Sequence, residues 1–336
     1  MSALDDVTAL ATAAAARWGI ERAPELIQHR ENSVFGVVLP SGERAVLRVH
    51  RAGYHDDAAI RSELQWMAEL SRQGIEVPQP IPDGQDKMLV HQATADIPQG
   101  RAVDVLSWVE GVPLGRSGVP LEHDVAALQG IFASLGAALA KLHAASDGWT
   151  LPDDFQRPAW DSDGLLGPAP VWGRFWELST LSTAERRLIG QARAVAARDL
   201  AAFAAGGGDY GLIHADVVRE NVLLGEAGLT LIDFDDGGMG WRLFELATVM
   251  HSNRAEPHAA VIEQALFTGY RSIRNFSAFE HDHLALFKLL RSFTYLGWIA
   301  ERLEEPGGTA RAQRFIETSI ELSTQYLSNG RANSDT

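Results

Sequence analysis

The spacing of apolar residues divides the chain into a strand-rich beginning and a helical remainder. Residues 26–38 and 44–50 read as strands joined by the turn Pro40-Ser41-Gly42, with the alternation of a half-buried strand in Ala45-Val46-Leu47-Arg48-Val49. This alternation puts Val46 and Arg48 on one face. Past Asp56, a residue type suited to a helix N-cap, the period lengthens, and Ile60, Leu64, Met67 and Ser71 mark one face of a helix over 58–72. Strands are expected near Lys87 to Gln92 and from Ala102 to Trp108, between the breaker-rich stretches Pro78-Gln79-Pro80-Ile81-Pro82 and Val109-Glu110-Gly111-Val112-Pro113.

Beyond that point the pattern is mainly helical. Ile131, Phe132, Leu135, Leu139 and Leu142 form an apolar stripe ending near His143, which reads as a structural residue at a helix end. Residues 258–274, 281–303 and 309–327 read as closing helices, with Phe287, Leu290, Phe293, Leu296 and Trp298 mostly in the core. One short hairpin interrupts the helices: Val222 to Leu224 and Leu229 to Phe234 are strands about the turn Gly225-Glu226-Ala227-Gly228.

Composition narrows the possibilities. The 336 residues are 46% hydrophobic and 22% charged, enough apolar material for two lobes with real cores. There are no cysteines, which excludes disulfides, thiolate metal sites and thiol nucleophiles. Apolar runs such as Ala11 to Ala16 fall short of the ~20 residues that span a bilayer, and the first residues lack a basic segment before an apolar one, so no membrane association and a cytoplasmic location are expected. A net charge of −15 argues against nucleic-acid binding, which draws on clustered Lys and Arg, and is compatible with a cationic substrate.

The chemistry concentrates in His214-Ala215-Asp216-Val217-Val218-Arg219-Glu220-Asn221 and, shortly after, Ile232-Asp233-Phe234-Asp235-Asp236. With Leu224 paired to Leu229, Asn221 falls opposite Ile232, one residue from Asp233, and two oxygen-bearing side chains can then share one Mg²⁺. Asp216, five residues before Asn221, is on the preceding loop, where its carboxylate can orient or accept the proton of an attacking hydroxyl.

This pattern resembles the catalytic loop and metal-binding Asp of the protein-kinase-like superfamily, and more narrowly the aminoglycoside phosphotransferase and type II homoserine kinase-like family of small-molecule kinases. The resemblance runs from about Ala11 to Leu327 and implies a bilobal α+β fold: a small N-lobe with an antiparallel sheet and one helix over 1–108, a larger, mainly helical C-lobe over 109–330, and a disordered tail over 331–336. It implies ATP and Mg²⁺ as cofactors and a small, amine-bearing alcohol as acceptor. Asp216 would be the catalytic residue, and Asn221 and Asp233 the metal ligands. On the nucleotide side Val46 would roof the adenine, the backbone at Ser107 to Val109, including Trp108, would hydrogen-bond it, and Arg48, paired with Glu63 fifteen positions on, would steady the phosphates. Asn32 and Ser33 would face the phosphates from Glu31-Asn32-Ser33-Val34-Phe35-Gly36. Acceptor contacts would come from Trp160, Asp161, Trp172 and Trp176 in the long insert and from Asp235 and Trp241.

Several positions depart from the pattern. Arg48 stands where protein kinases carry Lys, Glu245 stands where Asp-Leu-Ala is expected, and the phosphate loop has a single glycine. Asp235 and Asp236 replace the Gly that follows Phe in protein kinases, and no Ala-Pro-Glu segment is present. The alternatives are a Ser/Thr protein kinase of the bacterial stress-response type and a nucleotide-binding pseudokinase. Homoserine, choline or ethanolamine, hydroxylysine and aminoglycosides all remain open as acceptors.

Overall fold

The computed structural model describes residues 3–30, 32–226 and 228–332. By packing, the chain gathers into two compact units, Met1–Val112 with Gly148–Arg157 and Val222–Asp235, and Pro113–Asp147 with Pro158–Asn221 and Asp236–Thr336.

The first unit is built on a five-stranded antiparallel sheet of β1 (Glu25–His29), β2 (Ser33–Val38), β3 (Arg44–Val49), β4 (Val90–Gln92) and β5 (Arg101–Ser107), in the order β1-β2-β3-β5-β4. The single strand expected over 26–38 is two strands, because the polar residues around position 30 turn the chain; Glu31 lies outside the described residues. Helix α1 (Ala3–Ala15) contributes Leu10, Ala11 and Ala14 to one core with Phe35, Leu47 and Val103. Alternation sends Val46 and Arg48 to the other face of β3, and the β3–β5 register sets Asp104 directly opposite Arg48.

Helix α2 (Asp57–Arg72) begins where the sequence indicates: Asp56 caps it by accepting from the Ala59 amide at 2.8 Å. Val222–Gly225 and Gly228–Leu231 form the expected hairpin, with Leu224 opposite Leu229; Ala227 lies outside the described residues. The second strand stops at Leu231, before Asp233, which takes a left-handed φ of +68° that no extended strand can hold.

In the second unit the helices are α3 (Val125–Asp147), α4 (Ser162–Leu166), α5 (Thr183–Ala205), α6 (Arg242–Ser252), α7 (Ala259–Arg271), α8 (Ala278–Asp282), α9 (Leu284–Ala300) and α10 (Gly308–Ala332). A small sheet of Ala159–Trp160, Gly238–Trp241 and Tyr210–Ile213 lies among them. The backbones of α3 and α7 meet at two glycines: a Cβ on Gly136 would lie 2.0 Å from the Leu266 carbonyl oxygen, and one on Gly269 1.8 Å from that of Ala133.

Among the described residues α3 is the one helix long and apolar enough to cross a membrane. Gln129 and Lys141 interrupt its apolar run, and Leu128, Phe132, Leu135, Leu139 and Leu142 are all buried inside this unit. Helix α10 continues through Ala332, beyond its expected end at 327, and the last four residues of the expected tail lie outside the described residues.

Candidate active site

In the second unit, the strand Tyr210–Ile213 delivers the buried His214-Ala215 pair and then Asp216. Ala215 has φ +66°, a conformation disfavoured for a residue with a Cβ, and two buried charged side chains hold it there. Glu245 of α6 accepts from the amides of His214 (3.0 Å) and Ala215 (2.7 Å), while Arg291 of α9 donates to the Ala215 carbonyl at 3.1 Å. Glu245, longer by a methylene than the Asp expected there, therefore still braces the loop. His143 is not at a helix end; it sits within α3, fully buried, with Nε2 3.0 Å from Glu245 and Nδ1 2.8 Å from the Tyr270 hydroxyl. A carboxylate only accepts, so His143 Nε2–H donates to Glu245 and Nδ1 accepts from Tyr270. Burial pushes the Glu245 carboxyl up, but hydrogen bonds from His143 and the His214 amide outweigh it and hold it below its ordinary range.

Asp216 is half-buried, and Oδ1 accepts from Arg291 Nη2 at 2.6 Å. Asn221 Nδ2 donates to the Asp216 carbonyl (3.0 Å) and to Oδ2 (3.1 Å), so the amide oxygen is the Asn221 side-chain atom that accepts. Burial raises the Asp216 pKa, the charge of Asp236 raises it further, and Arg291 opposes both. Arg291 lies in a largely apolar helix, beside Leu289, Leu290 and Phe293, and a buried Arg in that setting requires a partner. That was the signal in the sequence.

Of the expected acceptor residues, the structure brings together Trp160 and Trp172, but around Asp236. The Trp172 indole donates to Asp236 Oδ1 at 3.0 Å, the Trp160 indole to its carbonyl at 2.9 Å, and the two rings meet edge to face at 5.3 Å. Trp172 and Tyr295 also flank Arg291 at 4.8 and 4.4 Å. The others are engaged elsewhere in this unit: Asp161 caps α4, Trp176 lies under Arg193, and Trp241 packs on Phe203 and Tyr210.

In the first unit Arg48 is buried and held by two carboxylates. Asp104 takes it bidentately, with Nε to Oδ1 at 2.9 Å and Nη2 to Oδ2 at 2.7 Å, and Glu63 Oε1 receives Nη1 at 2.8 Å. The ion pair expected with Glu63 is formed. The partner the sequence reading missed is Asp104, visible only as a charge in the apolar run Ala102-Val103-Asp104-Val105-Leu106. His50 Nε2 lies 2.7 Å from the same Asp104 carboxylate. Burial would lower the Arg48 pKa, but Asp104 and Glu63 raise it well above its ordinary value; burial acts to raise that of Asp104, which Arg48 and His50 hold far below the carboxylate range.

Asn32 Oδ1 accepts from the Arg51 amide at 3.1 Å, and the Ser33 hydroxyl lies 2.8 Å from His29 Nδ1. Trp108 and Val109 line a cleft of about 1160 Å³ with Gly74 to Val77 and the 222–231 hairpin; Val46, Asn32, Ser33 and Arg48 do not line it. Asp233 is exposed. Asp235 is buried in this unit, and its carbonyl receives His55 Nε2 at 2.8 Å.

Among the described residues no group of three or more His, Asp or Glu side chains converges as a metal site. Asp233 in the first unit and Asn221 in the second each carry a hard oxygen donor, the ligand type that Mg²⁺ takes.

An antiparallel sheet with one buried Arg–Glu pair, followed by a mainly helical part carrying an Asp-centred loop, defines a kinase-like phosphotransferase fold. The model of the phosphotransferase enzyme family matches residues 24–276, and the chain belongs to that family. The chain is 28% identical to the microcompartment-associated aminopropanol kinase, whose structure superposes with a TM-score of 0.82 over 96% of this chain and 98% of that one. Amicoumacin kinase of Bacillus subtilis (strain 168) is 22% identical, over 76% of this chain and 70% of its own length. Homoserine kinase of Pseudomonas aeruginosa (strain LESB58) is 34% identical over 44% of this chain and 45% of its length.

Proposed function

We propose that the protein is an ATP-dependent, Mg²⁺-requiring cytoplasmic kinase that moves the γ-phosphate to a hydroxyl of a small, amine-bearing metabolite. The observation that carries the acceptor class is Asp236, a carboxylate aligned by the Trp172 indole, whose ring also flanks the Arg291 guanidinium paired with Asp216. Two carboxylates, Asp216 and Asp236, suit a substrate that carries an ammonium group. Aminopropanol and homoserine, named for two relatives, are both amine-bearing alcohols.

In this reading Asp216 orients the acceptor hydroxyl and takes its proton as oxygen attacks the γ-phosphorus and the bond to the ADP oxygen breaks. Arg48, fixed by Glu63 and Asp104, presents a positioned cation to the nucleotide phosphates. Asn221 and Asp233 would hold Mg²⁺, which would supply positive charge to offset that of those phosphates.

The test is ATP consumption by purified protein with Mg²⁺ across amino alcohols, hydroxy amino acids, aminoglycosides and a generic protein acceptor. Turnover with one amine-bearing alcohol, abolished in Asp216→Asn, supports the reading. Phosphorylation of protein alone, or nucleotide binding with no turnover, removes it in favour of a protein kinase or a pseudokinase.

A further inference from the structure

Arg157 takes part in neither nucleotide nor acceptor contacts in the reading above, yet it is one of the most thoroughly engaged side chains of the first unit. Its side chain is fully buried. Nη1 donates to the Ala59 carbonyl of α2 at 3.0 Å and lies 3.7 Å from Glu63 Oε2. On the other arm of the fork, Nη2 donates to the carbonyls of both Phe234, at 3.2 Å, and Asp235. One guanidinium thus joins α2 to the two residues that follow Asp233.

Other contacts converge on the same two residues. His55 Nε2 lies 2.8 Å from the Asp235 carbonyl, and the Phe234 ring meets Trp66 of α2 edge to face at 5.2 Å. The segment that carries Arg157 is itself fastened to α2, since the Gln156 amide donates to Ser62 Oγ at 2.8 Å and Gln156 Nε2 to Asp56 at 3.1 Å. Asp233, immediately before the anchored carbonyls, is exposed and left-handed, a backbone state that persists only where its surroundings impose it. Glu63 places one oxygen on Arg48 and turns the other toward Arg157, so the phosphate-side pair and the Asp233 segment share one buried network.

We infer that Arg157 is the positioning residue that holds Asp233 in its ligand-presenting conformation, by tying the two carbonyls after it to the Ala59 turn and Glu63 of α2. The inference rests on the proposed kinase reading, in which Asp233 is a metal ligand. A planar fork is needed because two carbonyls on one side and a carbonyl and carboxylate on the other must be met at once, which a lysine ammonium does not reproduce.

The test measures binding of a non-hydrolysable ATP analogue to the full-length protein, with Mg²⁺ and with EDTA, in parent, Arg157→Met and Arg157→Lys, beside a thermal unfolding midpoint for each. The expected result is that the tightening conferred by Mg²⁺ shrinks by about tenfold in both variants while metal-free affinity stays near the parent value, the size of effect that residues orienting a metal ligand show. Should Arg157→Met fail to fold, Arg157→Lys gives the same comparison. A variant that tightens with Mg²⁺ as much as the parent, or that loses metal-free affinity equally, overturns the inference alone. A parent that Mg²⁺ does not tighten overturns the kinase reading of Asp233 and the inference with it.

Discussion

Arg291 Nη2 lies 2.6 Å from Asp216 Oδ1, and Nη1 of the same guanidinium holds the carbonyl of the residue before it. The proposed base is therefore half of an ion pair whose cation comes from a helix 75 residues further along the chain. Breaking such a pair acts differently from its two ends. Asp216→Asn retains a hydrogen-bond acceptor for Arg291 and is expected to lower kcat by ~10²–10⁴ with nucleotide affinity kept. Arg291→Met leaves Asp216 without its cation and the Ala215 carbonyl without its donor, and is expected to cost about 3 kcal/mol of stability as well as turnover. Denaturant unfolding beside steady-state kinetics separates the two; an Arg291→Met protein of parental stability contradicts the account.

Ala215 is fully buried in a left-handed conformation, at φ +66°. Replacement by glycine removes the Cβ strain, about 1 kcal/mol, and offsets most of it with chain entropy, so Ala215→Gly is expected to leave the melting temperature unchanged or slightly raised. Ala215→Val, β-branched and larger, is expected to destabilise by roughly 2–3 kcal/mol. Calorimetry on the pair gives the comparison, and a glycine variant that melts well below the parent would show that Ala215 is not strained.

His143 carries an acid sensitivity. Burial lowers its pKa from 6.5 to about 4, since the neutral ring between Glu245 and Tyr270 resists a second proton. An unfolded histidine gains that proton near pH 6.5, so below this value the unfolded state binds more protons than the folded one. The stabilisation is fully present above pH 6.5 and is lost as the pH falls towards 4, by on the order of 3 kcal/mol. Urea midpoints at pH 7 and pH 4.5 are expected to fall further in the parent than in His143→Gln. Equal slopes for the two proteins would exclude the effect.

Asp236 is the proposed contact for the acceptor's amine. Asp236→Asn keeps a side-chain oxygen for the Trp172 indole and removes the charge, so the acceptor KM is expected to rise by about tenfold or more while the ATP KM holds. An acceptor KM that does not move would assign the ammonium to another group.

What the chain reveals unaided is what depends on local order. The His214–Asn221 and Ile232–Asp236 segments are short enough for spacing to carry the family resemblance, the 222–231 hairpin follows from its turn, and alternation along β3 with the period of α2 aims Arg48 and Glu63 so that the pair forms. Asp104 was half legible, as a charge in an apolar strand whose partner only the β3–β5 register names. Tertiary structure alone decided the rest. Arg291 and Asp216, His143 and Glu245, and Arg157 and Phe234 are separated by 75, 102 and 77 residues. A buried charge announces that it needs a partner, because desolvation is costly, but its identity depends on which distant elements the cores bring together. The tryptophans show the same limit: their count marked the insert as notable, while packing chose Trp160 and Trp172 to align Asp236 and sent Trp176 and Trp241 to other contacts.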